Sequence, residues 1–442
     1  MAELQAVLLC SGSGSRMTEL CDTLLKFLLP IADVPMFWYP LNTLVNSGVK
    51  DIKILVREDG EAEVHRLLTT PLFTFPSASI EVVPVDRENE DWGTADVLRH
   101  YAAKITRDFI VMSCDFITDA RLQPMIDQFR AHKRDFIVMS CDFITDARLQ
   151  PMIDQFRAHK ATFSCLLSDM CATGPVPGPK VRRGKGRDFI ALEESTNRIV
   201  YMTSEEDFDQ PVNAEPWMNK FWNVSLTARY VDCHVYFMRH SCLGMIARQK
   251  LVHSNFVSLK ADFIPYLLAQ QCSVSNGNGE APKCMAYLLP HGNATVSAHA
   301  NNLGAYFEVN KSILKCLPRV SSKLYTGQIF DAKATGIHTN ESLVAESAKV
   351  ADRAIIKRSI VGSRCSIGEK ANIQGSVIME GASVGKGAKI TQSIICPGVV
   401  IGDGAELTSV IVTKEQKVAA NAKIQNELID MDEEDNAWED GL

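Results

Sequence analysis

Two kinds of hydrophobic periodicity divide the chain. From Val344 to about Leu428, aliphatic residues recur at steps of six, six and five: Val344, Val350, Ile356; Val361, Ile367, Ile373; Ile378, Val384, Ile390; Ile395, Ile401, Leu407; Val412, Val418, Ile424. The 17-residue period runs five times, and all fifteen positions hold Val, Ile or Leu. A helix repeats at three and four, a half-buried strand at two. A step of six predicts a chain that turns a corner every six residues and returns to the same inward position. Small residues four places on (Ala348, Ala354, Cys365, Ala371, Ala382, Ala388, Ala405, Ala422) fit a tight interior. Gly362, Gly368, Gly385 and Gly402, each directly after an aliphatic, read as corners that need a residue without a Cβ. The pattern predicts a parallel β-helix of hexapeptide repeats, whose coils bury a core only against one another.

The upstream part reads differently. Continuous or alternating apolar runs at 4–10, 51–56, 79–85 and 161–169 read as strands, separated by helical patterns such as the one opening at W-Y-P-L-N-T-L. Strands alternating with helices predict a parallel, doubly wound α/β sheet. A hairpin is expected over 188–203 and a strand over 230–238, where His234 reads as a packed or partly exposed strand residue. L-K-A-D-F-I-P-Y-L-L-A-Q-Q reads as helical up to its Pro, and 302–315 as a closing loop and helix. The Gly/Pro-rich segment 174–186, with Lys180, Arg182, Arg183 and Lys185, reads as a solvated loop.

One feature breaks the pattern of an ordinary domain. Residues 107–133 recur without a difference at 134–160, each copy a strand, a polar turn C-D-F-I-T-D and a helix. Cores packed to crystal-like density do not suit the same side chains beside different neighbours. Complete identity therefore points to a recent duplication or an error in the gene model, and either copy can be the extra one. Asp115 and Asp142 are equivalent candidates for any role this motif carries.

Composition narrows the classes. With 442 residues there is room for two or three cores. A net charge of −7 removes a general electrostatic case for direct nucleic-acid binding. No apolar run reaches the roughly 18 residues needed to span a membrane, and the N-terminus lacks a signal-peptide pattern. The 13 cysteines form no zinc-type spacing and read as reduced thiols of a cytosolic protein.

Candidate chemistry sits in loops after strands. S-G-S-G-S-R, residues 11–16, can turn backbone N–H groups toward a phosphate, with Arg16 as a charged donor, or it can be a tight turn without a ligand. K-F-L-L-P-I-A-D-V-P-M follows at 26–36, and W-G-T-A-D-V-L-R-H at 92–100 has Thr94 as a candidate N-cap. In an open α/β sheet such loops lie at the carboxyl ends of strands, where ligands bind.

Taken together, the Gly-rich loop with Arg, Lys-x-x-x-Pro, Gly-Thr-Ala, a strand ending in Asp, and a C-terminal hexapeptide β-helix resemble the sugar-phosphate nucleotidyltransferases. They are more similar to the nucleotidyltransferase-like gamma and epsilon subunits of eukaryotic translation initiation factor 2B, with G-S-R-M-T, S-C-D-F-I-T-D and L-G-A-Y-F-E-V-N closest to the gamma type. The resemblance implies an α/β nucleotidyltransferase-like domain over 1–317, a connection over 318–343, a left-handed β-helix over 344–429 and an acidic tail over 430–442.

It also implies a remnant nucleotide pocket of Gly12, Gly14, Arg16, Lys26, Gly93, Thr94 and Asp115 or Asp142. The sequence departs from the enzymes' Gly-Gly-x-Gly-Thr-Arg, has Leu25 before Lys26 where they have Pro, has Cys before the candidate metal Asp where they have Gly, and shows no Glu-Lys-Pro sugar clamp after 174–186. These departures imply no catalytic residue, no metal and no cofactor. The implied role is a scaffold in the cytosolic guanine-nucleotide exchange complex, with the catalytic epsilon subunit and initiation factor 2 as partners. The alternatives are an active enzyme similar to mannose-1-phosphate guanylyltransferase and a regulatory pseudoenzyme that binds nucleotide without turnover. An acyltransferase reading of the β-helix lacks its base, since no His follows His338.

Overall fold

A computed structural model of the protein describes residues 5–12, 14, 17–22, 24–46, 48–85, 96, 100–101, 109–113, 117–118, 135–139, 144–145, 155, 158–169, 176–179, 187–205, 214–239, 242, 245–246, 256–272, 281–288, 297–298, 302–315 and 338–430. Two compact units emerge. One comprises Met1–Gly12, Phe37–Cys171 and Arg182–His299; the other comprises Ser13–Met36, Ala172–Val181 and Ala300–Leu442.

The first unit is built on one mixed sheet. Its strands are β1 (Gln5–Cys10), β2 (Asp51–Arg57), β3 (Ser79–Val85), β4 (Phe109–Ser113), β5 (Asp135–Met139), β6 (Phe163–Asp169), β7 (Asp188–Glu193), β8 (Arg198–Ser204), β9 (Val224–Thr227), β10 (Tyr230–Arg239) and β11 (Cys284–Leu288). They are ordered β9-β7-β8-β11-β6-β10-β5-β4-β1-β2-β3. The half from β5 to β3 is parallel throughout, as doubly wound patterning requires. The other half is mixed: β10 runs antiparallel to both its neighbours, and β7–β8 form the expected hairpin.

Buried runs explain the parallel half. Every residue of β1 is buried, which suits a strand covered on both faces. Helix α1 (Trp38–Asn46) buries Trp38, Tyr39, Leu41 and Leu44, and Trp38 Nε1 donates to Leu72 O at 3.1 Å. Helix α2 (Glu58–Leu68) opens with Glu58, Asp59 and Glu61, whose charges favour a helix N-terminus, and turns Val64 inward. The main core joins Leu9, Leu55 and Val83 to Phe163, Leu167, Met238, Phe263 and Leu267.

The segment read as helical up to its Pro runs the other way. A π-turn over Leu259–Phe263 leads into α3 (Ile264–Gln270), so Pro265 stands in the first turn of the regular helix. There its missing N–H is not needed.

Both copies of the 27-residue repeat enter the sheet. β4 and β5 are neighbours, parallel, and paired residue to equivalent residue: Ile110 with Ile137, Val111 with Val138, Met112 with Met139. The first copy keeps β1 as its other neighbour and the second keeps β10.

The second unit holds the β-helix. Its strands stack as three parallel sheets, the first starting at His338–Asn340, which pairs with Ile355–Lys357. Equivalent positions pair at the 17-residue interval, for example Ile356 with Ile373 and Ile373 with Ile390. Of the fifteen inward aliphatics, Val350 and Ile424, near the two ends, are half-buried and the rest are buried. A column of serines adds to the core. Ser376 N donates to Ser359 Oγ, Ser393 N to Ser376 Oγ and Val410 N to Ser393 Oγ, each at 3.1 Å.

The corner glycines need correction. The left-handed corners fall elsewhere, many on residues with a side chain: Arg353 and Lys370 in one column, Arg358 and Gln392 in another, Arg364 and Glu415 in a third. Gly368, Gly385 and Gly402 are required by close stacking instead. A Cβ on Gly385 would lie 2.6 Å from backbone atoms of the next coil.

The Gly/Pro loop also departs from its solvated reading. In its described part Pro177 and Gly178 are buried, and Gly178 N donates to Ser409 O at 2.8 Å. It lies against Ile411, one of an outer row of aliphatics (Ile360, Val377, Ile394, Ile411) that are all buried.

Candidate functional site

Three of the sequence-predicted pocket residues can be placed: Gly12, Gly14 and Lys26. Arg16, Gly93, Thr94, Asp115 and Asp142 lie outside the described residues. Gly12 follows the buried end of β1, and a Cβ there would meet nothing within 4 Å. Internal packing therefore does not demand glycine at that position.

Gly14 is different. It has φ +80°, and a Cβ would come 2.4 Å from Cys21 Sγ and 3.4 Å from Lys26 Cβ. The left-handed backbone and the close approach both require glycine. Gly14 O accepts from Met17 N at 2.8 Å, and a short helix, Thr18–Cys21, sets Leu20 and Met17 inward. Lys26 begins a single 3-10 turn, Lys26–Leu28. The turn between Gly14 and Lys26 thus seats the lysine's stem against the glycine.

β1 and β4 are parallel neighbours, with Leu9 beside Ser113. Their carboxyl ends therefore lie side by side at one end of the sheet, where open α/β sheets bind ligands. β5, which leads to Asp142, lies beyond β4.

A second constellation, buried in the first unit, was not singled out in the sequence. Asp188 opens β7, and its side chain is 3% exposed; Asp232 on β10 is fully buried. Lys260 Nζ lies 3.0 Å from Asp188 Oδ1 and 4.0 Å from Asp232 Oδ2. Ser204 Oγ donates to Asp188 Oδ1 at 3.1 Å, and Asp232 N donates to Asp188 Oδ2 at 2.9 Å. The Tyr236 hydroxyl donates to Asp232 Oδ2. Burial, and then the Asp232 charge, hold the Tyr236 phenol well above its ordinary range. One ammonium thus faces two carboxylates, with both Asp188 oxygens and Asp232 Oδ2 hydrogen-bonded, and such partners are what make buried charge tolerable. The signal was present in the strand alternation, because Asp232 shares a face with Tyr236 and Met238.

Among the described residues no group of three or more His, Cys, Asp or Glu side chains could hold a metal ion. No helix among them is long and apolar enough to cross a membrane.

Comparisons with known proteins follow the two units. The nucleotidyl transferase family model matches residues 5–141, and the model for the LbH domain of the EIF2B epsilon subunit matches 321–428. Over 441 residues, the whole of both chains, the protein is 45% identical to the translation initiation factor eIF2B subunit gamma of Caenorhabditis elegans. It is 24% identical to the protein of the same name from Schizosaccharomyces pombe, over 72% of this chain and 66% of that one. A glucose-1-phosphate thymidylyltransferase of Actinoplanes is 38% identical over 65 residues, 15% of this chain and 22% of that enzyme.

Proposed function

The chain belongs to the family of eIF2B gamma subunits, and from that premise we propose that it is a non-catalytic, regulatory member of the cytosolic guanine-nucleotide exchange factor that acts on translation initiation factor 2. In this reading it pairs with the catalytic epsilon subunit and helps dock initiation factor 2, while GDP leaves on the partner chain. The observation that carries the reading is the likeness to a gamma subunit along the whole of both chains, against 15% coverage for the sugar-nucleotide enzyme.

The chemistry supports it. Nucleotidyl transfer needs an in-line nucleophile, a held metal and neutralised charge on the leaving group. Arg16, Lys26 and one Asp remain in the sequence, but the Gly-Gly turn and the Glu-Lys-Pro clamp are lost. Positioning is worth several orders of magnitude in rate, so a partial set argues for a retained fold. We assign the remnant pocket to Gly12, Gly14, Arg16, Lys26, Gly93 and Thr94, with Asp115 or Asp142 as its aspartate.

An active sugar-1-phosphate nucleotidyltransferase, similar to the mannose-1-phosphate enzymes, is the disfavoured alternative. Pyrophosphate release with Mg²⁺, GTP or UTP and sugar phosphates separates the two. The subunit reading expects none above background; turnover abolished by Lys26→Ala would overturn it.

A further inference from the structure

The stretch Lys26–Met36 looks most like a piece of catalytic machinery, yet its contacts point elsewhere within its own unit. Two short strands, Pro30–Ile31 and Val34–Pro35, form a hairpin closed by Ala32 and Asp33, both left-handed at φ 48° and 64°. Left-handed backbone is strained on a residue with a Cβ. Two in succession persist where the surroundings hold them.

The surroundings here are helix α4 (Leu303–Ser312) and a corner of the β-helix. Ala32 N donates to the buried Asn310 Oδ1 at 3.1 Å, and Tyr306 OH donates to Pro30 O at 2.6 Å. Asp33 reaches the β-helix. Ser363 N donates to its Oδ1 at 3.0 Å and Ser363 Oγ to its Oδ2 at 2.6 Å.

The 17-residue repeat is altered where Asp33 lands. The column that contains Gly362 otherwise reads Ala345, Met379, Cys396 and Thr413. A Cβ on Gly362 would lie 2.7 Å from Asp33 Oδ1. The next column reads Glu346, Ser363, Glu380, Pro397 and Lys414, so within it a hydroxyl faces the carboxylate at this coil alone. A notch and a donor thus occur together at one coil of five.

We propose that Lys26–Met36 serves in this chain as a strap that clamps the corner at Gly362–Ser363 of the β-helix, with the Asp33 carboxylate as its key. The geometry of the stretch is thus held by contacts with the β-helix and α4. The inference is independent of the subunit's role in exchange.

Amide hydrogen exchange on the full chain tests it, comparing wild type with Asp33→Ala, Asp33→Asn and Ser363→Ala. In Asp33→Ala, exchange in peptides covering 29–36 and 360–365 is expected to rise at least tenfold, while a distal coil peptide, 394–407, stays as in wild type. Asp33→Asn is expected to stay within a few fold of wild type, because its amide oxygen still accepts from Ser363 N and Asn tolerates the left-handed turn. Unchanged exchange at 29–36 and 360–365 in Asp33→Ala overturns the strap. Should that variant not fold, Ser363→Ala decides: several-fold faster exchange at 29–36 supports the strap, and none overturns it.

Discussion

The β-helix and the α/β unit handle charge in opposite ways. Along the β-helix, ion pairs are laid on the outside. Lys389 and Lys423 flank Glu406 at 2.8 and 3.6 Å, and Lys386 meets Glu369 at 3.0 Å, all substantially exposed. Its interior is aliphatic, with serine hydroxyls satisfying corner amides. The α/β unit buries Asp188 and Asp232 in its sheet and balances them with Lys260. A repeating fold can place each charge at an outward column, because every coil offers the same outward position. A mixed sheet with one crossing strand, β10, has no such column, and its polar positions must be satisfied one by one.

The sharpest way to break this comparison is Lys260→Met. It leaves two buried carboxylates without their cation, and removing one partner of a buried pair costs about 3–5 kcal/mol. Urea unfolding of the α/β unit should show it. A change below about 1 kcal/mol would mean that the carboxylates are stabilised in another way.

Next come the β-helix core positions. Ile390→Ala should cost about 2–5 kcal/mol, and Ile373→Ala about the same, since both are buried at equivalent places in successive coils. Unequal losses, read from paired denaturation curves, would show that the coils are not energetic equals.

A smaller effect concerns pH. Burial raises the Asp33 carboxyl above its usual 3.8, against the hydrogen bonds from Ser363; Glu380 adds to the rise and Arg364 opposes it. The thiol facing it, Cys365, is itself pushed up to about 11 by burial and stays protonated. A carboxyl raised on folding contributes stability below its unfolded value, and that contribution is lost as pH rises through the folded value. Relative to Asp33→Asn, the wild type should therefore lose stability as pH climbs from about 3.8 and then level off. Urea midpoints of the two proteins across that range check it; a constant difference would contradict it.

The least effect belongs to the outer ladder. Glu406→Gln should leave the melting temperature unchanged within error, because exposed pairs contribute little. A clear drop would mean that the ladder supports the coils.

The two regions were also unequally legible. The β-helix was readable because three inward positions recur in five periods, fifteen places under one steric rule, so chance matches average out. What the spacing hid was which residue turns the corner. Arg358 and Gln392 adopt left-handed backbone with full side chains, while the glycines serve stacking contacts between coils distant by 17 residues. In the α/β unit the parallel strands showed as apolar runs, and the 188–203 hairpin and the 230–238 strand were also legible, but the antiparallel insertion of β10 was not, because direction leaves no mark on a strand of alternating residues. The lysine that neutralises Asp188 comes from 72 residues away, and no local pattern announces such a partner. Of the candidate pocket, the requirement for glycine at 14 was legible as a Gly-rich loop; the strap through Asp33 depends on a notch 330 residues downstream.

The central claim is that this chain promotes nucleotide exchange only as part of an assembly. Release of labelled GDP from initiation factor 2 tests it most directly, measured with the purified chain alone and again with the epsilon subunit added. The account predicts no acceleration by the chain alone and an acceleration beyond that of epsilon when the two are combined. Rapid GDP release driven by the chain alone would contradict it.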